Sequence, residues 1–265
     1  MGLFHSLNKT FRSSGIDLKI LFTTIRRFPR FIRDLFRYRR QQKSGSSDFR
    51  VKGIFPYLND HDSESGVSGG HYFYQDWLVA GRIYQNSPEI HVDVGSRVDG
   101  LITHIASFRP VTVIDIRPLS TNIPNIEFIQ MDITGSISSS FTEFCDSLSC
   151  LHALEHFGLG RYGGEINYEG YLTGLKNLAK LLKTGGKFYL SIPIGPQRVE
   201  FNAHRVFDLS YIIKLLNPDF LIDNFSLVDD NNRFRENIPL NDMDVRNNFN
   251  CKYGCGIFEL TKRQA

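Results

Sequence analysis

The chain has 265 residues, which suits one α/β domain or two domains of roughly 150 residues each. Its composition is 41% hydrophobic and 22% charged, and it lacks an uncharged apolar run of about 18 residues; collagen, coiled coil, a transmembrane bundle and wholesale disorder are therefore excluded. Four cysteines stand at positions 145, 150, 251 and 255. They form no CxxC pairs, so we expect buried or free thiols in a reducing compartment.

Positive charge is concentrated in residues 1–43. This segment has eleven Lys and Arg against two Asp, a local charge of +9, which leaves −6 for the rest of the chain. Apolar residues recur there at helical spacing, at Leu18, Leu21, Phe22, Ile25, Phe28, Phe31, Ile32, Leu35 and Phe36. The pattern predicts a cationic amphipathic helix that fits an anionic membrane surface. The alternative is a helix that docks on its own domain or on a second subunit of a homodimer.

The chain divides into three predicted parts: a helical extension over 1–43, a Ser- and Gly-rich linker and mobile loop over 44–70, and a folded domain over 71–265. The folded part opens with a helical pattern over 72–84 and then alternates strands with helices. Predicted strands cover 90–94, 112–116, 127–131, 147–151, 187–192, 220–228 and 256–261, with helical patterns at 100–108, 138–144, 171–182 and 207–216. This alternation predicts an α/β fold with a doubly wound, mostly parallel seven-stranded sheet.

Acidic residues follow three successive predicted strands. The first strand ends in Asp93-x-Gly95, the second ends in Asp115, and the third is followed by Asp132. In a doubly wound sheet these ends border the ligand crevice, where a glycine turn lets the backbone approach a ligand and an acid binds ribose hydroxyls. We therefore expect Asp115 to take the ribose of an adenosine-type ligand and Asp132 to face an adenine amine. Each Asp alone is also a common cap or turn residue.

On these motifs the chain resembles class I S-adenosylmethionine-dependent methyltransferases over residues 71–262. Further sequence motifs, at 92–100, 151–163 and 201–207, look like those of a largely uncharacterised branch of this superfamily, catalogued as a domain of unknown function. Bacterial members of that branch tend to be associated with surface-polysaccharide synthesis. The resemblance implies a Rossmann-like methyltransferase domain with S-adenosylmethionine as cofactor. It assigns cofactor binding to Asp93, Gly95, Ser96, Arg97, Asp115, Asp132 and Leu151.

The glycine loop departs from the usual Gly-x-Gly-x-Gly of these enzymes. Its second and third positions are Arg97 and Asp99, followed by Gly100. Arg97 is interpreted either as a clamp on the methionine carboxylate or on an acceptor phosphate, or as a local salt bridge to Asp99.

Two histidines and a glutamate follow the fourth strand. His152, Glu155 and His156 spell H-x-x-E-H, the ligand spacing of inverted zinc peptidases. Gly158 and Gly160 interrupt the segment, whereas the peptidase motif lies in a long helix, so we expect no metal here. In the methyltransferase interpretation His152 or His156 removes the proton of an acceptor hydroxyl and Glu155 orients an imidazole. The alternative is that these side chains only brace the loop.

A third cluster follows the fifth strand. Asn202, His204 and Arg205 suit sugar hydroxyls, phosphates and proton transfer, and Arg161 and Tyr162 face them from the Gly-rich loop. His204 is a further candidate base, and the other four are candidate acceptor contacts. The alternative is that His204 and Arg205 anchor the loop to the sheet. A further candidate site segment is the start of the first helix of the domain, which in such folds can close over the cofactor. Its residues are His71, Tyr72, Gln75 and Asp76.

The leading hypothesis is transfer of a methyl group to oxygen on a glycan or glycolipid precursor at the cytoplasmic face of the membrane. This reaction needs proximity and one base. The alternative is a catalytically silent methyltransferase-fold module that binds a polysaccharide enzyme or the membrane. No nucleic-acid partner is expected, because the folded part is acidic and carries no aromatic-basic recognition motif.

Overall fold

The computed structural model describes residues 17–44, 51–58 and 69–264. It divides into two compact units, Met1–Val67 and Ser68–Ala265. Within the first unit, helix α1 (Leu18–Ser44) occupies the predicted amphipathic segment, and Ile20, Phe22 and Ile25 are exposed on it. The Arg27 guanidinium donates a hydrogen bond to the carbonyl of Leu58 at 2.9 Å. Among the described residues, the helices are too short or too polar to cross a bilayer.

The second unit is built on an eight-stranded sheet in the order β3-β2-β1-β4-β5-β10-β8-β9. Strands β1 to β5 run parallel, and β10 is antiparallel to both β5 and β8. The bounds are β1 (His91–Val94), β2 (Val111–Asp115), β3 (Ile126–Gln130), β4 (Cys145–Leu151), β5 (Leu182–Ile194), β8 (Phe220–Val228), β9 (Phe234–Arg235) and β10 (Gly254–Lys262). The seven predicted strands are all present, and the two-residue β9 extends the edge.

Helices cover both faces of this sheet. Their bounds are α2 (His71–Asn86), α3 (Thr103–Ala106), α4 (Gly170–Leu181), α5 (Leu209–Leu216) and α6 (Asp242–Arg246). Phe188 and Leu190 belong to one apolar cluster, with Leu178, whereas Tyr189 between them belongs to a second cluster, with Leu78. Because consecutive strand residues point to opposite faces, the two clusters lie on opposite sides of the sheet, with α4 on one and α2 on the other.

Two segments differ from the sequence prediction. The predicted helix over 100–108 is a π-type turn (Val98–Ile102) followed by the single turn of α3, because Gly100 has non-helical backbone angles. The loop after β5 contains a hairpin of β6 (Arg198–Glu200) and β7 (His204–Val206) that the sequence did not indicate. The hairpin fixes where the third cluster of candidate residues points.

The chain order reverses between β1 and β4. Strands β2 and β3 lie on one side of β1, and β4 and β5 lie on the other. Loops that leave neighbouring strands in opposite directions open a crevice at their carboxyl ends, which is where ligands bind in open α/β sheets.

Candidate functional site

A cavity of about 960 Å³ opens at the carboxyl ends of β1, β2 and β4 and beside the end of β3. Ten of the predicted residues line it: Gly95, Ser96, Arg97, Asp115, Asp132, Leu151, His152, His156, Arg161 and Tyr162. The fold therefore brings together groups that lie as far apart as residues 95 and 162 in the sequence. Its size suits a nucleoside-containing small molecule.

The loop after β1 depends on Gly95. Its φ of 84° is in the left-handed region, and a Cβ at this position would lie 2.7 Å from the Cβ of Ala153. A larger residue would therefore have to push away the segment that leaves β4. The glycine lets the backbone of the loop border the cavity directly.

Asp93 lies beneath this loop and does not line the cavity, so its predicted contact with the cofactor is corrected to a positioning role. The side chain is fully buried. Its carboxylate accepts hydrogen bonds from the backbone N–H of Ser96 at 3.0 Å, from the Ser96 hydroxyl at 2.9 Å and from the Ser149 hydroxyl. Burial raises the pKa of Asp93 to about 7, against the opposing effect of these donors. Asp93 therefore acts on a ligand only through the loop that it holds.

His91 continues this buried polar network. Its Nδ1 lies 2.8 Å from the Ser147 hydroxyl and its Nε2 lies 3.2 Å from the Ser149 hydroxyl. Burial, assisted by the charge of Arg109, lowers the pKa of His91 to about 3. The imidazole is therefore neutral in the folded protein at every pH at which the fold is expected to persist.

This shift predicts a pH-dependent stability difference between the wild type and a His91→Gln variant. Below pH 6.5 the unfolded wild type binds a proton at His91 and the folded one does not, so acidification destabilises the wild type at this site. The free energy of unfolding of the wild type relative to the variant should fall by about 2 kcal/mol between pH 6.5 and pH 5. Urea unfolding at the two pH values measures it. A pH-independent difference would show that His91 titrates normally in the fold.

Arg97 lies at the rim of the cavity with 72% of its side chain exposed. Its Nε and Nη2 donate to the two carboxylate oxygens of Asp99 at 2.9 and 2.6 Å. Of the two interpretations of this residue, the local salt bridge is the one present. The bulky side chain thus points along the rim and leaves the cavity open, even though it replaces a customary glycine.

The Asp115 carboxylate is held by Arg117, a residue that the sequence analysis did not single out. Arg117 donates from its backbone N–H at 2.8 Å and from Nε at 3.0 Å to Oδ1, and from Nη2 to Oδ2. The Arg117 guanidinium also lies 4.7 Å from the centre of the Tyr162 ring. Asp115 is therefore oriented and its charge balanced, which leaves its remaining lone pairs for hydroxyl donors. The spacing Asp-x-Arg was the available sequence signal.

Asp132 follows β3, the strand next to β2, and lines the same cavity. Its Oδ1 accepts hydrogen bonds from the backbone N–H of Thr134 at 2.8 Å and from the Thr134 hydroxyl at 2.7 Å. Its Oδ2 points toward Gly164, where a Cβ would lie 3.4 Å away. Ile116, which also lines the cavity, supplies an apolar surface next to it. An acceptor oxygen beside an apolar wall is the arrangement that an adenine ring with its exocyclic amine requires.

A second pocket of about 400 Å³ adjoins the cavity. Tyr72, His152, His156, Arg161 and Tyr162 line both of them, so the two spaces share a wall. The polar groups of the second pocket further include His71, Glu155, His204, Asp230 and Tyr253. A ligand in the first space and an acceptor in the second would therefore meet at the shared residues.

The H-x-x-E-H segment forms a short 3₁₀ turn (Leu154–His156) and not the long helix of a zinc peptidase. His152 Nδ1 lies 2.7 Å from Glu155 Oε1, and both side chains are almost fully buried. His156 instead directs its Nδ1 at the carbonyl of Ala203, at 2.7 Å. The two imidazoles therefore have different partners, and the segment does not present them together as the peptidase motif would.

His156 has the geometry of a general base. The Ala203 carbonyl can only accept, so Nδ1 carries the proton and Nε2 presents a lone pair. Burial lowers the pKa of His156, against the raising effect of the Glu155 carboxylate. The imidazole is therefore neutral near pH 7, as a base must be. His204 lines only the second pocket, and its Nε2 lies 3.6 Å from Glu200 Oε2.

Two predicted acceptor contacts have structural positions instead. Arg205 is buried, and its guanidinium donates to the carbonyls of Glu155, Phe157 and Tyr168 at 3.3, 2.6 and 3.2 Å. Asn202 lies at the exposed tip of the β6–β7 hairpin with a φ of 62°. Both residues lie outside the two pockets, so the predicted substrate contact is corrected for each. Arg205 anchors the loop, which was the alternative interpretation for it.

Arg161 and Tyr162 line both pockets. The Arg161 Nη1 donates to the Ala203 carbonyl at 3.0 Å, and its guanidinium lies 5.1 Å from the centre of the Tyr162 ring. The loop that carries them is closed by Gly158, where a Cβ would overlap the carbonyl oxygen of Asn167. Their role in binding an acceptor stays a prediction.

Solved structures that are similar to this chain include the following three. The [4+2]-cyclase SpnF is 14% identical, with 72% of this chain and 82% of that chain covered and a TM-score of 0.52. The N-methyltransferase NodS from Bradyrhizobium japonicum, in complex with S-adenosylhomocysteine, is 13% identical over 73% of this chain and 88% of that chain, with a TM-score of 0.48. A putative methyltransferase from Haloferax volcanii, in complex with the activator Trm112, is 12% identical over 74% and 91%, with a TM-score of 0.49.

The strand order and the likeness to SpnF show that the domain has a Rossmann-like fold. Within it, residues 117–250, just over half of the chain, match the family described as Caenorhabditis protein of unknown function, DUF268. The chain belongs to this family. A search of the curated proteins gave no match.

Proposed function

We propose that the protein is an S-adenosylmethionine-dependent methyltransferase that methylates oxygen on a glycan or glycolipid precursor. The observation that carries the proposal is the single cavity at the strand ends, with Asp115 and Asp132 on its walls and the Gly95 backbone at its edge. The adjoining polar pocket gives an acceptor direct access to the same space. One fold serves many reactions, and it is these residues that support methyl transfer.

The residues present fit the cofactor. Asp115 would accept hydrogen bonds from the ribose hydroxyls while Arg117 holds its carboxylate in place. Asp132 Oδ2 would accept a hydrogen bond from the adenine amine. Leu151 and the Gly95 backbone border the rest of the cavity. When bound, the cofactor supplies an electrophilic methyl group on sulfur. The task left to the protein is to hold an acceptor oxygen within about 3 to 3.5 Å of that carbon and to remove its proton.

His156 is the base in this proposal. It borders both spaces, and the Ala203 carbonyl fixes the tautomer that leaves Nε2 free to accept the hydroxyl proton. Glu155 lies 3.8 Å from that nitrogen and would stabilise the imidazolium that forms. His204 would take part in a later proton transfer to solvent, and its position on the second pocket supports this role. Arg161 and Tyr162 suit a sugar, through hydrogen bonds and stacking on a ring face.

The basic helix α1 supports the finer part of the proposal, an acceptor at the inner face of the membrane. Its exposed apolar residues and its arginines are the features of a helix that lies on an anionic surface. A cytoplasmic protein with peripheral attachment follows from it. A homodimer through the same helix is the competing proposal.

One observation favours a second candidate function, a catalytically silent binding module. The Asp115 carboxylate is already engaged by Arg117 through both of its oxygens, as it would be if no ribose came to this position. A module of this kind would keep the fold and the pockets without transferring a methyl group.

Binding of S-adenosylhomocysteine separates the two functions. We expect the wild type to bind it and Asp115→Ala to bind it roughly 10- to 100-fold more weakly, because one to two charge-assisted hydrogen bonds are lost. Isothermal titration calorimetry measures both. Asp223→Ala is the matched control, since Asp223 pairs with Lys187 at 3.0 Å on the same sheet but outside both pockets; its affinity should equal that of the wild type.

Absence of wild-type binding at millimolar ligand would support the silent module. Equal affinity in Asp115→Ala would contradict the assigned ribose site. For the acceptor, transfer of labelled methyl from S-adenosylmethionine to extracted glycolipid, but not to nucleic acid, is the expected result. Label found on protein or small amines instead would overturn the glycan part of the proposal.

A further inference from the structure

Three side chains from distant parts of the sequence converge beside the second pocket, which two of them line. His71 begins α2, His152 follows β4, and Cys255 is the second residue of β10. One ring nitrogen of each histidine and the Cys255 sulfur all lie within 4.8 Å of one another. The two imidazole rings are stacked, with their centres 5.1 Å apart and their planes within 5°. Two imidazole nitrogens and one thiolate are a ligand set that suits zinc.

His152 gives independent evidence for a ligand. Its side chain is 3% exposed and its Nε2 has no hydrogen-bond partner among the described residues. A buried polar atom of this kind costs free energy unless something binds it. Because Nδ1 faces Glu155 Oε1 at 2.7 Å, Nε2 is the nitrogen that is available to an ion. A carboxylate behind a histidine is the arrangement that orients metal-binding imidazoles.

The backbone around the three residues holds them in place. His152 has a φ of 49°, and its N–H donates to the carbonyl of Ser191 at 3.0 Å, so its backbone is held in an uncommon conformation. Asp230 accepts hydrogen bonds from the backbone N–H groups of Lys252 and Tyr253 at 2.8 and 2.9 Å, which fixes the turn before Cys255. Strain at a buried histidine is expected where a function requires it.

We propose that His71, His152 and Cys255 bind a zinc ion whose fourth position opens into the second pocket. Ligand atoms on tetrahedral zinc lie about 3.3 to 3.8 Å apart, so side-chain movements of about 1 Å bring the three atoms to that spacing. The Cys255 thiol loses its proton to solvent when the ion binds. This site differs from the H-x-x-E-H hypothesis, because His156 is not a ligand, and it replaces our expectation of a site without metal.

The fourth coordination position of the ion would be open to molecules that enter the second pocket. Zinc sites with three protein ligands and one exchangeable position bind water or a substrate oxygen, whereas structural sites have four protein ligands. The exchangeable position here would take an oxygen of a hydroxylated or anionic acceptor. Zinc binding at this site does not require S-adenosylmethionine. The zinc proposal is therefore independent of the proposed methyl transfer.

The test uses the full chain, stripped of metal with a chelator and then titrated with Zn²⁺ against a chromophoric chelator. We expect one equivalent to bind. With Co²⁺ we expect the near-ultraviolet thiolate-to-cobalt band and the visible absorption of tetrahedral cobalt. Cys255→Ser should lose the near-ultraviolet band, and Glu155→Gln, which changes the group behind His152 and no proposed ligand, should bind Zn²⁺ roughly 10- to 100-fold more weakly.

Cys251→Ser is the matched control, because Cys251 is a buried free thiol four residues away and outside the cluster. It should keep both the stoichiometry and the cobalt band. A wild type that binds no Zn²⁺ at micromolar free metal would overturn the proposal whether or not the variants fold, and so would a cobalt band that survives in Cys255→Ser. Zinc binding without S-adenosylhomocysteine binding would refute the proposed function alone, and the reverse result would refute the zinc site alone.

Discussion

Replacing Arg205 with methionine is expected to lower the free energy of unfolding by about 3 to 5 kcal/mol, because three partly or fully buried carbonyls lose their donor. The guanidinium joins the carbonyls of Glu155, Phe157 and Tyr168 and lies 4.8 Å from the centre of the Tyr171 ring. Methionine restores much of the volume but none of the hydrogen bonds. Urea unfolding followed by circular dichroism measures the loss.

Arg233→Met is the control for this change. Arg233 is exposed in the turn between β8 and β9, and its backbone N–H is what bonds to Asp229, at 3.0 Å. Its replacement should alter stability by no more than about 0.5 kcal/mol. If Arg205→Met left stability unchanged and weakened only acceptor binding, the residue would be a substrate contact after all, and the anchoring role would be wrong.

Arg205 illustrates what the sequence could not indicate. An Arg after a strand suits a phosphate and a carbonyl cluster equally well, and the choice depends on which loops pack above it. The hairpin of β6 and β7 decides the outcome, because it turns Arg205 inward and leaves Asn202 at its exposed tip. Strands of three residues have no periodicity that a sequence pattern could detect.

The sheet could be predicted because its strands carry a strong local signal. β1 and β2 are buried at every position and are rich in Val and Ile, although β1 also holds the buried polar residues His91 and Asp93. The start of β5 was placed five residues too late, since Gly185 and Gly186 interrupt its apolar pattern. Strand ends then placed Asp115 and Asp132 at one edge, which is why their convergence followed from the topology alone.

The sequence could not predict which side chains of the site lie next to each other, because residue spacing does not encode these contacts. The ion pair of Asp115 with Arg117 is local, yet Asp-x-Arg occurs in many turns without it. Cys255 was expected to be a structural thiol, and its position near His71 results from β10 inserting between β5 and β8. That strand brings together residues 184 positions apart, which no local pattern reveals.

Replacing Asp93 with alanine is expected to destabilise the fold by about 3 kcal/mol and to weaken S-adenosylhomocysteine binding at least tenfold, because buried donors lose their acceptor. The backbone N–H and the hydroxyl of Ser96 and the hydroxyl of Ser149 all donate to this carboxylate. Without it the loop at Gly95 has no anchor on β1 and β4, and the edge of the cavity is no longer fixed. Calorimetric titration and urea unfolding report the two effects separately.

The Asp93→Asn variant separates the effect of the hydrogen bonds that anchor the loop from the effect of the negative charge. Its amide keeps an acceptor for the Ser96 N–H and resembles the protonated carboxyl, so it should retain cofactor binding. Because the folded-state pKa of Asp93 is raised to about 7, the unfolded chain loses this proton first as the pH rises, and the wild type is destabilised between pH 4 and pH 7. From pH 5 to pH 7 the wild type should lose about 2 kcal/mol relative to the asparagine variant. A constant difference would mean that the hydrogen bonds keep Asp93 ionised, and loss of binding in the asparagine variant would show that the ligand needs the negative charge itself.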